Sequence, residues 1–158
     1  MKTDDPAAGT LRQYREPHSA AGSQLLGKAL DGRSNMTTYL ERTGRPPDFR
    51  VRYEWLVERG GGQRPVQYMR CDFSYDGDNI HRDGVYMVWP EFEDDCRNPI
   101  PEGSPIPSTG FASMWVVSPM MRVDVHRQKA RLGRKAYFMA GGARFARAEI
   151  IELIGLFD

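Results

Sequence analysis

The stretch Phe49-Arg50-Val51-Arg52-Tyr53-Glu54-Trp55 constrains this chain most, because apolar and charged side chains alternate along it without a break. A period of two puts one set on each face of an extended strand. The same logic extends downstream. Val66 to Tyr75 reads as a second strand, with Met69, Cys71, Phe73 and Tyr75 on one side and Tyr68, Arg70, Asp72 and Ser74 on the other. Gly60-Gly61-Gly62 between the two is a turn that tolerates positive φ. Asp76-Gly77-Asp78-Asn79 is a turn signal, and Val85 to Phe92 is a third apolar stretch.

Pro99, Pro101, Pro105 and Pro107 lie between Asp94 and Thr109. Proline cannot donate to a ladder, which predicts a long surface loop or edge arm there. Gly110 to Val117 is β-prone, and Pro119 is expected to end that strand. Met121 to His126 again alternates, Met121, Val123 and Val125 against Arg122, Asp124 and His126, and reads as a strand. Lys135 to Met139 and Arg144 to Leu156, joined by Gly141-Gly142, are the last strands. Ala146 to Leu153 also suits a helix, but Ile150, Ile151 and Ile154 are β-branched and favour a strand. Short strands punctuated by glycine turns predict a mainly β protein, a small antiparallel β-barrel over residues 48–158.

Residues 1–47 read differently. The first 23 hold few large apolar residues and are expected to be disordered or loosely attached. Leu25, Leu26 and Leu30 sit at near-helical spacing, and Asn35 is placed to cap a second short helix through Tyr39 and Leu40. Gly44-Arg45-Pro46-Pro47 is a stop and a linker. The fold expected is therefore a barrel preceded by a short helical or disordered N-terminal segment.

Charge and cysteine usage narrow the function classes. The formal net charge is +1, which gives no global pull toward nucleic acid or an anionic membrane. Yet residues 49–109 hold 7 basic against 11 acidic side chains, and residues 110–158 hold 8 against 4. No apolar run approaches a membrane span, so no membrane association is expected. Two cysteines make no disulfide framework, and a cytoplasmic, reducing location is the expectation.

The histidines, His18, His81 and His126, show no metal-binding spacing and read as surface or rim residues. Cys71 reads as buried on a strand face. Asp76, Asp78 and Asp83 lack the calcium-loop spacing. Glu91, Glu93, Asp94 and Asp95 read as an exposed acidic run. No cofactor is expected. Tyr137, Phe138 and Phe145 suit stacking on bases but read first as core. Arg122, Arg127, Lys129, Arg131, Arg134 and Lys135 form the densest basic stretch. With Arg70 and His126 they are the candidate contact residues, since clustered cations release counterions when they meet phosphate.

Phe49 to Tyr75, with a glycine turn and then Arg70 three residues before Phe73, followed by Phe138-Met139-Ala140-Gly141-Gly142-Ala143-Arg144-Phe145-Ala146, resembles the third domain of elongation factor Tu. The arginine that follows the family's Gly-Gly pair corresponds to Gln63 or a shifted Arg64, and its proline to a displaced Pro65. The resemblance implies a small antiparallel barrel that makes macromolecular contacts. It carries no GTPase chemistry, because no P-loop is present. Three functions follow in order: a non-catalytic module binding a protein partner, regulatory or immunity-like, or its own copy; a module binding structured RNA through residues 122–135; and an enzyme pairing Cys71 or Cys96 with His81 or His126.

Overall fold

The structure is a computed structural model that describes residues 37–56 and 64–158. The expected helix around Leu25, Leu26 and Leu30, the Asn35 cap, the Gly60 to Gly62 turn and His18 lie outside the described residues.

Six strands close a barrel in the order β1-β4-β3-β2-β5-β6, every neighbouring pair antiparallel. They are β1 (Phe49–Trp55), β2 (Cys71–Tyr75), β3 (Tyr86–Glu93), β4 (Thr109–Val116), β5 (Lys135–Ala140) and β6 (Ala143–Leu153). The alternation of β1 sends Phe49, Val51 and Tyr53 inward, where they meet Phe73, Val88, Phe92, Phe138 and Ile150. These side chains fill the interior, and their burial is the main driving force for closure. Ala146 to Leu153 is strand, as β-branching argued.

Three elements depart from the expectation. Strand β2 begins at Cys71 and not at Val66, because Tyr68 adopts φ +64° and the Gln67–Tyr68 turn leaves the sheet. Gln67 then substitutes for a strand. Its buried amide donates to the carbonyls of Phe92 and Ile100 at 2.9 and 2.7 Å and accepts from the Phe92 amide at 2.8 Å. Pairing of β2 with β3 covers only Tyr86 to Val88, so Pro90 lies where β2 has already diverged.

Second, Met121 to His126 is helical. Short helix α3 (Pro119–Met121), a π-helical turn (Arg122–His126) and α4 (Arg127–Lys129) follow without a break. Ser118 caps this segment by accepting from the Met121 amide at 3.3 Å, and Pro119 occupies the first turn, where its missing N–H costs nothing. The inward residues are Met121, Val125 and His126, a helical spacing that the accidental alternation of charge disguised.

Third, α1 (Tyr39–Thr43) takes Thr38 as its N-cap. The Thr38 hydroxyl accepts from the Glu41 amide at 3.3 Å, and the Glu41 carboxylate accepts from the Thr38 amide at 2.9 Å. Tyr39 is 1% exposed, stacked on Trp89 with centroids 5.1 Å apart. The described residues before Phe49 are thus packed against the barrel. A fourth short helix, α2 (Ile80–Asp83), joins β2 to β3. No helix among the described residues is long and apolar enough to cross a membrane.

Candidate functional site

The barrel spends most of the candidate cations on itself. Arg122 ion-pairs with Asp48 and donates to the Gly155 carbonyl. Arg127 donates to the carbonyls of Leu156 and Asp158 at 2.7 and 2.9 Å. Lys129 meets Asp78 at 2.7 Å. Arg134 donates to the Asp76 carbonyl at 3.0 Å and lies over the Tyr75 ring. Arg70 lies over Trp89, 5.1 Å from the ring centroid. Helical winding disperses these groups: residues 122 and 127 face the C-terminal turn, while 129 faces the β2–α2 turn. The side chains of Arg131 and Lys135 are exposed and make no hydrogen bond or ion pair with the described residues.

His126 is a correction to the surface reading. It is fully buried, within ring distance of Phe49, Phe73, Tyr75 and Tyr86. Its Nδ1 lies 2.7 Å from the Tyr75 hydroxyl, and its Nε2 is buried without a hydrogen-bond partner among the described residues. Burial lowers its pKa to about 4, with Asp48 opposing and Lys129 assisting. A ring so enclosed is no contact residue. His81 is exposed.

Two members of the acidic run are also inside. Glu91 accepts from the Tyr39 amide at 2.9 Å, and burial raises its pKa. Glu93 pairs with Arg50 at 2.6 Å and accepts from Ser113. Cys71 is buried, which pushes its thiol well above the ordinary range, whereas Cys96 is exposed. Neither is hydrogen-bonded to a histidine, and among the described residues no three His, Cys, Asp or Glu side chains are placed to hold a metal ion. Asp76, Asp78 and Asp83 take Tyr137, Lys129 and Arg82 as partners. Phe138 and Phe145 are core, but Tyr137 lies on the outer wall and is only half-buried.

The outer wall holds a groove of about 560 Å³, crossing β5, β6, β1 and β4. Strand register builds it. Arg52 sits opposite Glu149 on one side and Phe111 on the other, and Glu54 sits opposite Arg147 and Thr109. Lys135 faces Glu149 and Tyr137 faces Arg147 across the β5–β6 pairing. The charges form a grid of alternating sign, with one short pair, Arg52 to Glu149 at 3.0 Å. Asp95, from the β3–β4 loop, completes the rim. Among the described residues three cations therefore face three carboxylates, and that lining is neutral.

Two aromatic walls bound it, each braced by an arginine. Arg50 lies 4.6 Å from the centroid of Phe111, and Arg144 lies 3.8 Å from that of Tyr137. The Tyr137 hydroxyl also donates to Asp76 at 3.0 Å. At Gly110, opposite Tyr53, a Cβ would stand 3.0 Å from the Tyr53 hydroxyl, so any larger residue there requires the ring to give by a few tenths of an ångström. That phenol, raised to about 12 by burial, donates to the Pro107 carbonyl at 2.9 Å and fixes the loop that forms the groove's end. Among the described residues that line the groove there is no histidine or cysteine. The groove can hold an extended chain bearing side chains of both signs. Arg52 and Glu54 come from β1, Arg147 and Glu149 from β6, Lys135 from β5 and Asp95 from the β3–β4 loop, so the pairing that brings them together joins segments far apart in the chain.

No protein-family model and no curated protein sequence matches this chain.

Proposed function

We propose that this protein is a non-catalytic binding module, of the kind its likeness to the third domain of elongation factor Tu suggests, that receives an extended segment of a protein partner in the β5–β6–β1–β4 groove. The observation that carries the reading is the neutral charge grid between two arginine-braced aromatic walls. A nucleic-acid backbone presents one sign only, and here it would meet Glu54, Glu149 and Asp95 along with the cations. A polypeptide offers both signs and an apolar side chain for the space between Phe111 and Tyr137. Closure leaves the six strands without a free edge, so recognition has to run through side chains and not through strand addition. Exposed ion pairs contribute little affinity by themselves and set register and specificity.

Site-specific photo-crosslinking in cells tests this directly. A crosslinker at position 111 is expected to give a discrete protein adduct, while one at the exposed Met87, on β3, gives none. Equal labelling from both positions, or an adduct with RNA from position 111, would contradict the reading.

A further inference from the structure

A second cavity adjoins the groove and differs from it in charge. It encloses about 260 Å³ and is lined by Asp76, Arg131, Leu132, Gly133, Arg134 and Lys135. Three cations meet one carboxylate there, a local excess of two positive charges. Asp76 is engaged by Tyr137, and Arg134 uses Nη2 for the Asp76 carbonyl while its Nε is buried without a hydrogen-bond partner among the described residues. The Arg131 and Lys135 side chains have no partner among the described residues. These free cations contrast with Arg122, Arg127 and Lys129, whose donors are already satisfied within the fold.

The geometry points to a phosphoryl-binding subsite in this cleft, serving a phosphorylated side chain on the protein segment that occupies the groove. The inference rests on the protein-segment reading above for the identity of the carrier. A phosphoryl group carries about −1.5 to −2 charges near neutral pH, which matches the cleft's excess, and a single carboxylate does not. Guanidinium forks suit phosphate oxygens because several N–H groups point at one acceptor plane. The turn that presents them is closed by the Arg134 amide donating to the Arg131 carbonyl at 3.0 Å and is anchored to Ile150, whose carbonyl accepts from the Gly133 amide at 2.7 Å and whose amide donates to the Arg134 carbonyl at 2.9 Å. A fixed turn loses little freedom on binding. Leu132, 65% exposed, offers an apolar contact beside the charge. Lys135 lines both cavities, so a chain in the groove passes within reach of the cleft.

The test is an amide NMR titration of the full chain with inorganic phosphate, ionic strength held with chloride. Saturable shifts confined to Asp76 and residues 131–135 are expected, at least tenfold weaker in Arg131→Ala/Lys135→Ala. A phosphoserine peptide flanked by arginine and glutamate should bind at least tenfold more tightly than its serine counterpart. Shifts that never saturate, equal affinity for the two peptides, or tighter binding of a single-stranded oligonucleotide than of the phosphopeptide would overturn it. Absence of phosphate binding with the crosslink from position 111 intact defeats this inference alone. Phosphate bound in the cleft without that crosslink defeats the protein-segment carrier and leaves the subsite.

Discussion

Replacing Asp48 with alanine is expected to destabilise the protein by about 3–5 kcal/mol, the usual consequence of stranding the partners of a buried ion pair. Asp48 is fully buried just before β1. One carboxylate oxygen accepts from Arg45 at 2.9 Å and from the Val116 amide at 2.7 Å, and the other takes Arg122. Its backbone donates to the Met114 carbonyl at 2.8 Å and accepts from the Ile154 amide at 3.0 Å. One residue thus ties the start of β1 to the end of β4, the helical segment and the turn after β6. Against a total stability of about 5–15 kcal/mol for an ordinary domain, the loss would bring the variant close to unfolding. Urea denaturation followed by tryptophan fluorescence measures it. Asp48→Asn, which keeps an acceptor for Val116, should cost less than alanine. A loss under about 1 kcal/mol for the alanine variant, the level of an exposed pair, would remove Asp48 from this role.

Acid should weaken the fold through His126, in a definite window. The folded state holds the ring neutral down to about pH 4, whereas the unfolded chain takes up its proton near the ordinary value of 6.5. The unfolded state therefore binds more protons between those values, and stability falls as pH drops from 6.5 to 4. The full difference amounts to about 3 kcal/mol, at 1.36 kcal/mol for each pKa unit. The groups around the ring are Tyr75, Tyr86, Phe49 and Phe73, with Asp48 and Lys129 as the nearby charges. Glu91, raised by burial, works in the opposite direction, because the folded state takes its proton first. Asp83, held near 2, and Asp94, also lowered, withdraw their contributions only below the ordinary aspartate value of 3.8. His126→Gln retains a hydrogen-bonding group for Tyr75 and cannot titrate. Its stability between pH 6.5 and 4 should be flatter than that of the native protein, as denaturation curves at successive pH values would reveal. Identical slopes for the two would exclude His126 as the acid-sensitive group.

Local rules made the barrel legible. The period of β1, the proline arm and the glycine turn before β6 each follow from side-chain geometry within a few residues. The misreadings share one cause. From Met121 to His126 the charges alternate by chance, while Ser118 and Pro119, a cap and a first-turn proline, were the true local signal for a helix. Likewise Thr38 with Glu41 was a capping box in the sequence, and Asn35 drew attention from it. The site was harder to read for a different reason. The basic stretch was conspicuous because its residues lie close together in the chain, yet Arg122, Arg127, Lys129 and Arg134 find their partners in distant segments: Asp48, Asp76, Asp78 or the C-terminal carbonyls. The groove, by contrast, collects single residues from four strands, and only the register assembles them.

The central claim is that the sign pattern of the groove selects a protein segment. Exchanging one cross-strand pair, Glu54→Arg with Arg147→Glu, keeps the net charge and the local attraction and inverts the pattern facing a partner. Both side chains lie on the outer wall, and the thermal midpoint should stay within a few degrees of the native protein. The yield of the protein adduct crosslinked from position 111 should then fall at least tenfold. An adduct formed at the native level by the exchanged variant would contradict the account.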